Sequence, residues 1–193
     1  MGRGNGGTRS TDKSHGKRLT PLEAYEQYTE GGGVHNEHEL TAMDKLFSPA
    51  KENMTLYRGG NMEELESLMK ENGVKLEDYG GWKDYSELEG RTLKNKHYQS
   101  STKTLSYAEE YASDSYSMID LTGQDHTPVV FELRVKKGTP IIKRSDYTHT
   151  MARGASQEHT IKRNVKWKIL YVTERYNAIM DHDEYYVTVE VSK

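Results

Sequence analysis

Apolar residues along the chain recur first at helical and then at strand spacing. Thr20-Pro21 followed by Glu23 is a capping box with proline at the first helical position. It predicts a helix with Leu22, Tyr25 and the Gln27-Tyr28 pair on one face, ended by Gly31-Gly32-Gly33. Asn36 predicts the cap of a second helix carrying Leu40, Met43, Leu46 and Phe47 on one side, with Pro49 at its end. Met54, Leu56 and Tyr57-Arg58-Gly59-Gly60 read as a short strand ending in a glycine turn. A helix from Met62 to Asn72 follows, with Leu65, Leu68 and Met69 as its buried stripe and Gly73 as its stop. Residues 74–91 show no clean period and read as loop. His97 to Thr104 is strand-like, and Leu105 to Ala112 is helical with Leu105, Ala108 and Tyr111 on one side.

The second half changes character. Pro128–Val135, Pro140–Lys143, Glu158–Ile161, Lys166–Thr173 and Tyr185–Val191 are rich in Val, Ile, Thr and Tyr, which suit a pleated, half-buried surface. Gly138 and the stretch from Asn177 to Asp183 fall where turns are needed. A helix-rich front and a strand-rich back make an α+β domain. The sequence shows no internal repeat and no Gly-x-Gly-x-x-Gly motif.

Composition narrows the class. The chain has no cysteine, which removes disulfides, thiolate metal sites and a cysteine nucleophile together. No run approaches the ~20 apolar residues that span a bilayer, and the basic start lacks the apolar core of a secretory signal. These features suit a cytoplasmic protein, in the producing cell or in a target cell after delivery. The formal charge is -3, but Arg3, Arg9, Lys13, Lys17 and Arg18 against Asp12 put +4 on residues 1–18 and leave -7 on the rest. Residues 1–18, rich in Gly, Ser and Arg, have too little apolar surface to order themselves and read as a flexible basic tail. Residues 19–193 then form a single domain, whose 14 tyrosines favour a compact fold. His35 and His38 open an amphipathic helix without a third ligand, so they are read as exposed residues and no metal is expected.

Three short segments carry candidate chemistry. Arg58 stands at a strand end beside two glycines, where its forked guanidinium suits a diphosphate and the glycines let a ligand approach the backbone. In Tyr98-Gln99-Ser100-Ser101-Thr102, strand alternation puts Ser100 and Thr102 on one face, where two hydroxyls can orient an acid or a ribose. Glu158 opens a strand after a glycine-containing loop, a position from which a carboxylate can project into a cleft. Taken singly, each is also what a turn arginine, a polar sheet edge or a surface acid looks like.

Their order is more telling. Leu56-Tyr57-Arg58-Gly59, then Ser100-Ser101-Thr102 with Ala108 eight residues after Ser100, then a loop and Glu158, resembles the Arg-Ser-Glu branch of the mono-ADP-ribosyltransferase family. Val130-Phe131-Glu132-Leu133-Arg134-Val135-Lys136-Lys137-Gly138 is similar to the strand before that family's target-recognition loop, and Glu158 through Leu170 to its catalytic strand, turn and next strand. The likeness covers about residues 50–175. It implies a helical N-terminal part followed by a split, mostly antiparallel β-sandwich core. It also implies an enzyme that cleaves NAD between nicotinamide and ribose, needs no metal, and passes ADP-ribose to a macromolecule. Under that likeness Glu158, Arg58 and Ser100 are catalytic, Arg58, Gly59, Ser100 and Thr102 bind NAD, and the Gly59 backbone meets the nicotinamide amide.

Residues 145–156 would form the acceptor-recognition loop, with Tyr147, His149, Arg153, Ser156 and Gln157 as contacts. The family usually has Glu or Gln two residues before the catalytic Glu, and here that position is Ser156, which speaks against arginine as acceptor. Gln157, adjacent to Glu158, should face the other way on a strand. A protein acceptor fits best, because a body charge of -7 opposes a polyanion. A nucleic-acid acceptor, hydrolysis of NAD, and a noncatalytic binding protein of the same fold remain the alternatives. A toxin with a neutralising partner, a phage-encoded modifier and a delivered effector all suit this sequence.

Overall fold

A computed structural model describes residues 18–31, 33–117, 126–147 and 157–193, in two compact units that divide between Lys45 and Leu46. The first holds α1 (Pro21–Thr29) and α2 (Glu37–Asp44). The capping box of α1 forms as expected: Thr20 Oγ1 accepts the Glu23 N–H at 3.2 Å, and the Glu23 carboxylate accepts the Thr20 N–H at 2.8 Å. Asn36 caps α2, accepting the Glu39 N–H at 3.0 Å. Two expectations fail here. Leu22 is 39% exposed, while Ala24 and Tyr25 carry the buried side of α1. The second helix stops at Asp44, so Leu46 and Phe47 leave it; in the second unit Phe47 stacks on Tyr98 at 5.5 Å, a contact a longer helix would forgo.

The second unit contains, among the described residues, β1 (Ser48–Pro49), β2 (Met54–Asn61), α3 (Met62–Glu71), β3 (Thr92–Asn95), β4 (Gln99–Thr102), α4 (Leu105–Ser117), β5 (Pro128–Val135), β6 (Pro140–Lys143), β7 (Glu158–Ile161), β8 (Val165–Asn177) and β9 (His182–Ser192). The strands run in the order β1-β6-β7-β4-β2-β5-β9-β8-β3, antiparallel except for the β5–β9 pair. Pro49 sits on an edge strand, where its missing N–H costs no ladder bond. β2 pairs with β5 from Met54 to Asn61, yet meets β4 in one residue pair, Tyr57 with Thr102. The sheet therefore divides into two leaves at β2/β4, the split, mostly antiparallel α+β architecture expected. Residues 74–91, read as loop, contain a 3-10 turn at Tyr85–Leu88 with both end residues buried. β3 escaped the sequence reading because its four residues alternate in burial too briefly to stand out.

Helices cover both faces of the leaf built on β5. On one side α3 buries Leu65, Leu68 and Met69 against Leu56, Phe131, Leu133 and Trp167. On the other, Ala108 and Ala112 of α4 pack with Val130, flanked by Tyr57 and Tyr186. The spacing of the two alanines leaves α4 almost touching the backbone of β2. A Cβ on Gly59 would lie 2.1 Å from the Ala108 carbonyl oxygen and 2.7 Å from the Ala112 nitrogen. This packing alone requires glycine at 59 and small residues at 108 and 112. Gly59→Ala should lower stability by about 1–3 kcal/mol, read as a drop in Tm, because helix backbone has to move to admit the methyl. An unchanged Tm would mean that α4 is not seated this closely.

Candidate active site

The three sequence segments converge on adjacent strands. Arg58 leaves β2 on the face opposite Tyr57 and Gly59. Its Nε donates to Glu64 Oε1 at 2.9 Å and its Nη1 to the Ser100 carbonyl at 3.0 Å. Glu64 is itself held at the start of α3, its N–H donating to the Asn61 cap at 3.1 Å. One guanidinium thus joins β2, α3 and β4. β4 in turn pairs with β7 so that Thr102 lies opposite Glu158 and Ser100 opposite Thr160. Facing partners project to the same side, so Ser100, Thr102, Glu158 and Thr160 share one face and Gln99, Ser101, His159 and Ile161 the other.

Glu158 is paired with Arg144, in the 3-10 turn at Arg144–Asp146 that follows β6. Nothing in the sequence marked Arg144; the β6–β7 register brings it there, by placing Lys143 opposite His159. Thr102 Oγ1 accepts the Thr104 N–H at 3.1 Å, which turns the chain into α4. Thr160 is fully buried and its hydroxyl has no hydrogen-bond partner. On the opposite face the Ser101 hydroxyl donates to the His159 carbonyl at 3.1 Å and locks the two strands. His159 is buried there, and burial holds its imidazole below the usual value against the opposing effect of the Gln157 carbonyl.

Beside Arg58 lies a cavity of about 230 Å³ between α3 and the sheet, with Glu71, Asn95, Gln99, Phe131 and Trp167 in its wall. The sequence reading singled out none of these five as site residues. Of the expected acceptor contacts, the Tyr147 hydroxyl donates to the Leu46 carbonyl at 3.3 Å. The Gln157 carbonyl accepts the Lys103 N–H at 3.1 Å, which pins the end of the loop to β4. His149, Arg153 and Ser156 lie outside the described residues, as does the basic tail up to Lys17. Among the described residues no group of three or more His, Asp or Glu is placed to hold a metal ion, and no helix is long and apolar enough to cross a membrane.

No protein-family model matches the sequence, and the search of curated proteins found no match. Solved structures do match in shape. The chain is similar to an ADP-ribosyltransferase from Clostridium botulinum, at 12% identity and a TM-score of 0.58, over 90% of this chain and 86% of that one. It is similar to Plx2a, an ADP-ribosyltransferase toxin from Paenibacillus larvae, at 16% identity and 0.55, over 86% and 78%. C3stau2 from S. aureus, solved with NAD, matches at 14% identity and 0.54, over 90% and 86%. Three separate structures thus align with this chain along most of their own length. The chain therefore has the fold of the bacterial ADP-ribosyltransferase toxins.

Proposed function

We propose that the protein cleaves NAD at the nicotinamide–ribose bond and transfers ADP-ribose to a protein acceptor. The observation that carries this reading is the convergence of Arg58, Ser100 and Glu158 on β2, β4 and β7: Arg58 is bonded to the Ser100 carbonyl, and Thr102 is paired with Glu158. Nicotinamide departs as a neutral molecule from a cationic precursor, so the leaving group needs no acid. The barrier lies in the ribosyl cation, and a carboxylate at the ribose stabilises charge that develops only toward the transition state. Glu158 has that role. Ser100 and Thr102, on its face, orient the ribose, and Arg58, held by Glu64, offers its fork to the diphosphate.

The acceptor reading rests on charge and on one residue. The body's -7 opposes a nucleic-acid acceptor. Ser156 stands where a carboxylate or amide would ready a guanidinium for attack, and a hydroxyl is a poor base, so the acceptor group is a hydroxyl or an amide. The absence of cysteine suits work in a reducing cytoplasm. The test is incubation of the protein with a cell lysate and NAD labelled in the adenylate half, followed by separate protease and nuclease digestion. Macromolecular label released by protease alone is the expected result. Label released by nuclease alone would move the acceptor to nucleic acid.

A further inference from the structure

The face of β4 and β7 that turns away from Glu158 gathers positive charge over a buried imidazole. Lys143 stands opposite His159 in the β6–β7 pairing, and Ser101 stands opposite it in the β4–β7 pairing. The Lys103 N–H, which donates to the Gln157 carbonyl at 3.1 Å, carries the β4–β7 ladder one step further. Alternation then puts Lys103 and Lys143 on the His159 face. Opposed side chains stand ~5 Å apart at Cβ and diagonal ones ~7–8 Å, so both lysines reach the ring. The charges of both act on it. Among the described residues neither ammonium has an ion-pair partner.

Lys103, Lys143 and His159 line a cavity of about 340 Å³, together with the apolar Leu46, Pro49 and Ile141. Its other charged residues are Lys51, Glu52 and Asp146, and the hydroxyl of Tyr147, also in its wall, donates to the Leu46 carbonyl. His159 Nδ1 lies 3.1 Å from the Gln157 carbonyl, which only accepts, so Nδ1 holds the proton and Nε2 the lone pair. Burial first, and then the Lys103 and Lys143 charges, keep the imidazole below its usual value, against the Gln157 carbonyl and Asp146. Two ammonium groups beside a ring that they keep from charging call for an anion. A monocarboxylate would match one of them, and a dianion matches both. A cavity of ~150 Å³ accommodates benzene, so about 340 Å³ has room for a phosphate and an organic body of that size.

We propose that this cavity binds a small phosphate monoester, with its phosphate between Lys103 and Lys143 and its apolar body against Leu46, Pro49 and Ile141. The second ionisation of such an ester lies near pH 6, so the group is close to a dianion at neutral pH. Both ammonium groups then donate charge-assisted hydrogen bonds to it. The dianion also offsets the two lysine charges that oppose protonation of His159, so the ring takes up a proton on binding and Nε2 becomes a third donor. The site is independent of the NAD reading, because His159 and Glu158 project from opposite faces of β7.

The test follows the histidine rings of the full chain by proton–nitrogen NMR correlation at about pH 7, where a phosphate monoester is mostly dianionic. The His159 signals are identified by their loss in His159→Gln. Phenyl phosphate, inorganic phosphate and phenol are titrated in turn at constant ionic strength. Phenyl phosphate should move the His159 signals to the protonated pattern and saturate at millimolar concentration. Inorganic phosphate should bind at least ~10-fold more weakly, because it leaves the apolar wall uncovered, and phenol should leave the ring unchanged. Replacing both lysines, Lys103→Met with Lys143→Met, should weaken phenyl phosphate at least ~10-fold. The same change at Lys166 and Lys168, two exposed lysines of β8, should not. Equal affinity for phenyl phosphate and inorganic phosphate would overturn the monoester site. So would a His159 ring that stays neutral at saturation, no response at millimolar phenyl phosphate, or undiminished binding in the Lys103 and Lys143 variant. The comparison of the three probes uses the unmodified protein, so it stands whether or not the variants fold.

Discussion

Glu158→Gln should lower the rate of NAD cleavage by ~10²–10³-fold, the loss seen when one preorganised electrostatic group is removed from a developing charge. Glutamine keeps the size and an acceptor oxygen but loses the charge, so the ribosyl cation loses most of its stabilisation. The ground-state dinucleotide loses little, and its affinity should hold. A fall in kcat with steady KM is the pattern of an interaction made in the transition state. The Arg144 pairing makes the variant more informative. The Glu158 carboxylate is engaged with the Arg144 guanidinium, so in the proposed reaction the ribose would share that carboxylate with Arg144. If Glu158 served only to hold Arg144 in place, Glu158→Gln would lower Tm and leave turnover nearly intact.

Arg175→Met should destabilise the protein by about 3–5 kcal/mol, because it strands buried charge. Arg175 donates from Nε to Glu184 Oε1 at 2.7 Å and from Nη2 to Glu109 Oε1 at 2.9 Å, and its guanidinium lies 4.1 Å over the Tyr186 ring. Glu184 is fully buried, and its other oxygen accepts Asn177 Nδ2 at 3.2 Å. This cluster ties α4, through Glu109, to the β8–β9 hairpin, and so holds in place the helix that begins just beyond Thr102. Burial, with a further push from Glu184, already raises the Glu109 carboxyl above the usual carboxylate value, against the pull of Arg175. Without Arg175 that rise grows, and the folded state then binds more protons than the unfolded state. The sign follows for Glu109: its share of the lost stability is full above the raised folded value and shrinks as pH falls through that value toward the unfolded value of about 4.3. Denaturant unfolding of both proteins at several pH values checks this. A constant difference between them from neutral pH down to about 4 would contradict the buried-charge account.

Much of the framework was readable from local chemistry. The capping box of α1, the Asn36 cap of α2, the apolar stripe of α3 and the Val- and Ile-rich runs of β5 and β9 depend on neighbours in sequence, so they showed there. The elements that were misread answer to distant partners. The second helix stops short where Phe47 finds Tyr98, β1 exists only by pairing with β6, and β3 only by pairing with β8. The site divides in the same way. Arg58, Ser100 and Glu158 stood out because their order and spacing are informative. Arg144 became visible only through the β6–β7 register, and the cavity at Gln99 and Trp167 only through the packing of α3 on the sheet. Gly59 has gained a second explanation, since α4 backbone fills the space a side chain would need. Two residues in the turns, Asn164 and Asp181, take positive φ angles of 65° and 57°, a conformation that Asn and Asp tolerate better than most.

The central claim, that the three converging segments cleave NAD, is tested most directly by nicotinamide release. The full chain and its Glu158→Gln variant are incubated with NAD labelled in the nicotinamide ring, with and without cell lysate. Free nicotinamide is then separated and counted. The account predicts lysate-stimulated release by the unmodified protein and release at least ~10²-fold slower in the variant. Release by both proteins at equal rates, or NAD bound by the unmodified protein and returned intact in the presence of lysate, would contradict it.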